Sequence, residues 1–459
     1  MSPGDALGPG DPGNPGVVVS VRRFGAVGDG RTLDTKALQT AIDAVARGGG
    51  GELFFPGGKW LTGSLFLRDR VRIRLDSGAV LAGSGRREDF PLVESRWEGS
   101  TGTVHAGLIH AQSVSDIAVL GPGRIDGCGA PWWEAFRAGT LDAPRPRLLA
   151  IEDCHNVLLQ GFTATNSPSW TVNPVRCRNL RILDLDIENP PDSPNTDGIN
   201  PDSCSSVRIS GCRISVGDDC IAIKSGTERE RPELLAPCED IIISDCILER
   251  GHGGVVLGSE MSGGIRNVLV SNCIMKGTDR GIRIKTRRGR GGVVEGLRVS
   301  SVLMDSVGVA IALNMHYGCG AWGDAEIADR AERPRGTGTP VVRDISISGL
   351  SARGIRIAAV FLDGLAESPL EGFTLRDSNF ALSRGAAPEA PEMAEGLPEL
   401  SAAGFAAFHA NGLRLSGLRF SGFEGPAYRL ESCRAPEILD CEPSASGGWS
   451  AIRDPSAWD

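Results

Sequence analysis

Residues 178–182, Arg178-Asn179-Leu180-Arg181-Ile182, and residues 205–209, Ser205-Ser206-Val207-Arg208-Ile209, are two copies of one phrase set 27 residues apart. Each is a polar residue, a small or polar residue, then an aliphatic/x/aliphatic alternation, the period of a strand with one buried face. The phrase returns upstream at Ser115-Asp116-Ile117 and His155-Asn156-Val157. Downstream it recurs at Glu239-Asp240-Ile241, Arg266-Asn267-Val268, Glu295-Gly296-Leu297, Arg343-Asp344-Ile345, Glu371-Gly372-Phe373 and Asn411-Gly412-Leu413. Steps between successive middle residues are 40, 23, 27, 34, 27, 29, 48, 28 and 40, the shortest clustering at 23 to 29. A repeat of that length, built of short strands and turns with no second helix, cannot bury its apolar face alone and must stack on its neighbours. The expectation is all-β: a single right-handed parallel β-helix, with inward aliphatic ladders about 4.8 Å apart per coil and the longer steps as loops inserted at turns. Leucine-rich repeats would need a Leu-x-x-Leu-x-Leu frame, and a propeller repeats of about 40 to 45 residues.

From Asp34 to Arg47, Ala37, Leu38, Ala41, Ile42, Val45 and Ala46 recur at helical spacing, with Asp34 as N-cap and Gly48 as the stop. This single helix is expected to cap the N-terminal end of the coil stack, because an uncapped β-helix exposes apolar core and strand edges. Residues 1–16 are Gly/Pro-rich and read as a flexible arm, and residues 17–459 as one β-helix domain. Gly385 to Leu400, rich in Ala, Pro and Glu, reads as an inserted loop because the strand phrase resumes after it.

The 459 residues include 62 glycines but only 5% aromatics, so the core must be built from small and β-branched aliphatic residues. A net charge of −9 argues against nucleic acid as the main partner, which would need a broad basic face. The local run Lys285-Thr286-Arg287-Arg288-Gly289-Arg290 nevertheless leaves room for a basic cleft. Met1-Ser2-Pro3-Gly4-Asp5 has no basic n-region, and no run reaches the roughly 18 apolar residues of a membrane span, so the expectation is a cytoplasmic protein with no membrane partner. None of the twelve cysteines forms a Cys-x-x-Cys pair, and Cys204, Cys212, Cys238 and Cys246 recur at matching repeat positions, as buried reduced thiols would.

Chemistry-bearing residues collect at one phase of the repeat. Asp197 precedes Asp219 by 22 residues, about one coil, which puts the two carboxylates on neighbouring rungs. Asp218 and Asp219 are adjacent, and strand neighbours point to opposite faces, so they share a site only if a turn or bulge at Gly217 re-aims one. His252 stands between two glycines on the next coil. Arg283 and Lys285 alternate, so both point to one face, where they can grip a carboxylate.

Asn195-Thr196-Asp197-Gly198, Gly217-Asp218-Asp219-Cys220, Gly251-His252-Gly253 and Arg283-Ile284-Lys285 resemble the four ordered motifs of the polygalacturonases, glycoside hydrolase family 28. Phe24 to Gly30, Ile125-Asp126-Gly127 with Trp132-Trp133, and Asn166 to Trp170 extend the likeness to the wider pectin-degrading β-helix proteins, and beyond about Tyr317 it fades to bare repeats. The resemblance implies a pectin-lyase-like fold and inverting hydrolysis of α-1,4-linked galacturonate, with Asp218 as general acid and Asp197 with Asp219 activating water. It further implies that His252 tunes Asp218, that Arg283 and Lys285 bind the uronate, and that Asn195 and Tyr317 line subsites. Neighbouring carboxylates are expected to help Asp218 hold its proton. Inverting enzymes usually separate acid and base by roughly 6.5 to 9.5 Å, and a one-coil stack suggests less, so inversion rests on the resemblance.

The expected partner is an acidic oligosaccharide or pectin, and the chemistry calls for no metal or cofactor. A cytoplasmic setting favours short oligomers and exo-action from the non-reducing end. The enzyme rivals are a rhamnogalacturonan or other decorated-pectin hydrolase, which generally departs at the His and Arg/Lys motifs, and a calcium-dependent pectate lyase. The rival of another class is a carbohydrate-binding scaffold, which has no reason to gather these side chains.

Overall fold

In the computed structural model, residues 17–443 are described, and the chain divides into two compact units, Met1–Asp218 and Asp219–Asp459. The arm expected over residues 1–16 lies outside the described residues. In the first unit, three columns of parallel strands build a β-helix. One runs through Val18–Ser20, Gly51–Phe55, Val71–Leu75, Ser115–Leu120, His155–Gln160, Arg178–Leu183 and Ser205–Ser210. A second includes Gly58–Thr62, Ala79–Gly83, Arg124–Asp126, Thr163–Thr165, Asp186–Glu188 and Arg213–Ser215. The third stacks Leu65–Phe66, Ile109–Gln112, Leu149–Glu152 and Val172–Val175, continued by bridges from Val172 to Ile199 and Val175 to Asp202.

The second unit repeats the plan. Its first column begins Cys238–Ser244, Ile265–Ser271, and its third stacks Ile221–Ile223, Gly253–Gly258, Arg280–Lys285, Val309–Asn314, Ala358–Asp363, Ala403–Phe408 and Tyr428–Glu431. This is the parallel β-helix expected from the repeat.

The inward positions form the expected ladders. Val19, Leu53, Ile73, Val119, Leu159, Ile182 and Ile209 are successive partners in the first unit, each buried. Ile243, Val270, Val299, Ile347 and Leu375 do the same in the second. Each such burial is worth about 1.5 to 3 kcal/mol.

The middle residue of the recurring phrase also has a physical explanation. Asp116, Asn156, Asn179, Ser206, Asp240, Asn267, Gly296, Asp344, Gly372 and Gly412 all have φ between 54° and 69°. Only glycine and the short polar residues enter this left-handed region cheaply. Their amides also bond from coil to coil, with Asn156 Nδ2 donating to Asp116 Oδ1 at 2.8 Å and Asn179 Nδ2 to Asn156 Oδ1 at 2.7 Å.

The helix Thr35–Arg47 packs Leu38, Ala41, Ile42 and Val45 against the first coils. Asp34 takes the N-cap position, but its carboxylate turns away from the helix to accept from Val27 N at 2.8 Å and Gly28 N at 2.9 Å. Gln39 answers the strand-edge problem directly. Its amide donates to Phe66 O at 2.9 Å and accepts from Phe66 N at 2.8 Å, satisfying the first strand of the third column.

One expectation needs correction: the chain after residue 47 contains further helix. Ala130–Arg137 is helical, and Ala325–Ala328 forms a single short turn. With Pro131 in its first turn, the eight-residue helix is too short to show a period and is held by burial of Trp132 and Trp133. The Trp132 ring meets Phe90 and His105 edge-on, at 5.5 and 5.0 Å, and Trp133 Nε1 donates to Ser167 O at 3.0 Å. Among the described residues no disulfide is formed, and Cys204, Cys212, Cys238 and Cys246 are all buried, in line with the thiol-ladder reading. No described helix is long and apolar enough to cross a membrane.

Candidate active site

In the first unit, Asp197 follows the last strand of the third column, where Thr171 N bonds to Asp197 O at 2.8 Å and Val172 N to Gly198 O at 2.9 Å. Its side chain is 3% exposed, and Oδ2 accepts from Asn200 Nδ2 at 2.8 Å. The neighbouring Thr196 is fixed by a 2.6 Å hydroxyl contact with Ser193, and Asn189 Nδ2 donates to Thr171 Oγ1 at 2.9 Å. Asn195, predicted to line a subsite, is left-handed at φ 53°, and its Oδ1 accepts from Arg145 Nη2 at 2.6 Å. Arg145 also donates to Pro168 O and Pro194 O, at 2.9 and 2.7 Å, so it braces the turn that carries the predicted motif.

Gly217 lies in a bend, as the turn reading requires. Its lack of a side chain has a second cause, close approach: a Cβ there would sit 2.4 Å from Ser193 O and 2.8 Å from Pro190 O. Asp218, half-buried, ends this unit, and Asp219 begins the next.

In the second unit, Asp219 is 1% exposed, and Lys285 Nζ donates to its Oδ2 at 2.7 Å. Arg283 Nη1 stands 3.6 Å from Oδ1, so the two alternating cations converge on one carboxylate. Burial opposes ionisation of Asp219, but Lys285 and Arg283 outweigh it and hold the carboxyl down, at about 2. Gly253 explains half of the Gly-His-Gly motif, since a Cβ there would come 3.0 Å from Asp219 Oδ1 and 2.3 Å from Val256 Cγ2. His252 itself is exposed, and its carbonyl accepts from Arg280 N at 3.2 Å. Tyr317 is 6% exposed, with its ring 5.6 Å from the Arg283 guanidinium and 5.2 Å from Lys285 Nζ. Burial pushes its hydroxyl up to about 12 despite both cations.

The second unit thus brings together Asp219, Arg283, Lys285 and Tyr317, while Asp197 and Asn195 are built into the first. Sequence reasoning missed three contributors. Glu392 lies on the inserted stretch and holds Arg283 through two 2.8 Å bonds, Nε to Oε1 and Nη2 to Oε2. The same stretch meets the site again where Gly318 N donates to Met393 O at 2.8 Å and the Tyr317 hydroxyl points at Met393 Sδ, 3.8 Å away. Glu260 pairs with Lys224 at 2.9 Å, both buried, and Arg145 braces Asn195. Glu392 and Arg145 lie 109 and 50 residues from their partners, and none of the three sits in a motif.

Residues 93–382 match the model of glycosyl hydrolases family 28, and residues 18–95 match that of rhamnogalacturonase A/epimerase, pectate lyase-like. The chain is 35% identical to a "Probable polygalacturonase" of Vitis vinifera over 370 residues, 78% of this chain and 73% of that one. It is 27% identical to an exopolygalacturonase of Zea mays over 80% of this chain and 85% of that one. Among solved structures, the exopolygalacturonase of Thermotoga maritima superposes with a TM-score of 0.73 at 26% identity, covering 95% of this chain and 94% of that one.

Proposed function

The chain belongs to glycosyl hydrolase family 28 and is a glycoside hydrolase, and from that premise we propose that it hydrolyses α-1,4-linked galacturonate with inversion, releasing sugars from a chain end. The observation that carries this reading is Asp219, a buried carboxylate held ionised by Lys285 and Arg283 just before the third-column strand Ile221–Ile223. A base that must take a proton from water has to be ionised at working pH, and a uronate substrate needs cations nearby.

In this reading Asp218, covalent neighbour of Asp219 and half-buried, protonates the departing glycosidic oxygen. Asp197, oriented by Asn200, shares with Asp219 the activation of water on the opposite face. His252, exposed beside Gly253, orients Asp218. Arg283 keeps its place on Glu392 and adds positive potential beside the uronate, and Tyr317 walls the same face. No step needs a metal or cofactor. Two observations support chain-end action: the similar proteins named exopolygalacturonase, and the insertion that lays Glu392 and Met393 over Arg283 and Tyr317, walling one side of the subsite.

Chromatography of products from defined galacturonate oligomers over time tests the reading. Monomer appearing first and alone supports it. A spread of intermediate sizes from the earliest points rejects chain-end action, and an unsaturated product absorbing in the near ultraviolet rejects hydrolysis.

A further inference from the structure

In the second unit the tip of the insertion is seated on the strand Arg280–Lys285 by contacts that do not depend on the Glu392 side chain. Arg280 donates from Nε to Pro391 O at 3.0 Å and from Nη2 to Ala390 O at 3.2 Å, and Gly318 N donates to Met393 O at 2.8 Å. Behind the tip, Glu389 and Leu400 exchange backbone bonds of 3.0 and 2.8 Å. Leu397 and Leu400 pack on the cluster that holds Ala312, Phe361 and Phe408. The tip is therefore a fixed platform. From it the fully buried Glu392 carboxylate takes the Nε/Nη2 fork of Arg283, and Oε2 also accepts from Met393 N at 3.1 Å, which aims it.

Arg283 thus stands between two buried carboxylates and treats them unequally. Both of its bonds to Glu392 are 2.8 Å, whereas Nη1 is 3.6 Å from Asp219 Oδ1, beyond hydrogen-bond length. A buried guanidinium that lost Glu392 would be left uncompensated, an unfavourable state that closing on Asp219 relieves. A shift of under about 1 Å is enough to reach charge-assisted bond length. That closure has a chemical consequence. Lys285 already donates to Asp219 at 2.7 Å, and Lys224 adds positive potential. A further hydrogen bond from a cation favours the ionised form again and makes the carboxylate a poorer acceptor for a proton from water.

Resting on the hydrolase reading above, we propose that Glu392 is a positioning residue of the reaction: it holds Arg283 back from Asp219, and Asp219, spared that bond, keeps the basicity to take a proton from the attacking water. The full chain and its Glu392→Gln, Glu392→Asp, Arg283→Gln and doubly substituted Arg283→Gln/Glu392→Gln variants are assayed on trigalacturonate, with melting temperatures taken in parallel. Glu392→Gln lowers kcat about tenfold with KM within about twofold of wild type, and Glu392→Asp, which keeps the charge, recovers most of the loss. A crystal structure of Glu392→Gln has Arg283 within hydrogen-bond distance of Asp219. Should Glu392→Gln alone fail to fold, the Arg283→Gln background still decides: with no guanidinium to restrain, the single and double variants share one kcat. An unmoved Arg283 or an unchanged kcat in folded Glu392→Gln, a KM rise in place of the kcat loss, or a further loss on adding Glu392→Gln to Arg283→Gln overturns the role and leaves the hydrolase reading intact. A wild-type chain that cleaves no galacturonate oligomer removes the reading beneath it.

Discussion

At the scale of single residues, the site is a set of buried charges that hold one another. Asp219 and Glu260 each lose hydration on burial and recover more from cations, Asp219 from Lys285 and Arg283 and Glu260 chiefly from Lys224, so both carboxyls sit at about 2 against ordinary values of 3.8 and 4.5. A carboxyl depressed on folding contributes stability above its unfolded value and loses it as pH falls through the folded one. The melting temperature should therefore decline from about pH 4.5 toward pH 2, and in Lys285→Ala the decline should begin at higher pH, which calorimetry across that range will show. Lys285→Ala should also weaken uronate binding more than neutral-sugar binding; an equal loss on both, read by titration calorimetry, would remove the charge argument. Asp218 differs in being half-buried. Asp218→Asn should lower kcat by at least 10² to 10⁴ while shifting stability by no more than about 0.5 kcal/mol. Wild-type-like turnover in that variant would contradict its role as the acid.

At the scale of elements, the repeat was legible because each coil needs the same three things: alternating aliphatics for the ladder, one residue tolerant of positive φ, and a turn. The left-handed residue is visible in the sequence as the Asn, Asp, Ser or Gly in the middle of the phrase, and the backbone places all ten copies there. At the exposed position Asn179, φ 56°, replacement by Val should cost about 1 to 3 kcal/mol, whereas Gly should nearly preserve stability. Chemical denaturation of the two variants separates a conformational requirement from loss of the coil-to-coil amide bond, which both remove. The capping helix was legible for the same reason, a strong 3.6-residue period over thirteen residues. The helix Ala130–Arg137 was not, because eight residues anchored by two tryptophans carry packing information and almost no periodic information. Motif glycines could be located but not explained from sequence, since the close approaches come from the backbone of Pro190 and Ser193 at Gly217 and from the side chains of Val256 and Asp219 at Gly253.

At the scale of the whole molecule, a chain of net charge −9 concentrates buried cations, Arg283 and Lys285 among them, at one place in a repeating scaffold. The ordered motifs made the carboxylates, His252, Arg283 and Lys285 readable. What could not be read was how those cations are balanced, because Glu392 comes from a low-complexity insertion with no strand phrase of its own. That insertion fixes Arg283 in place through the two bonds to Glu392. Inverting hydrolysis requires an ionised carboxylate, such as Asp219, to direct water to the face opposite the leaving group. Proton NMR of the first minutes of hydrolysis, run on a galacturonate oligomer before mutarotation, reports it directly. The account predicts that the new reducing end appears as the β-anomer and drifts toward equilibrium. First appearance of the α-anomer would contradict it.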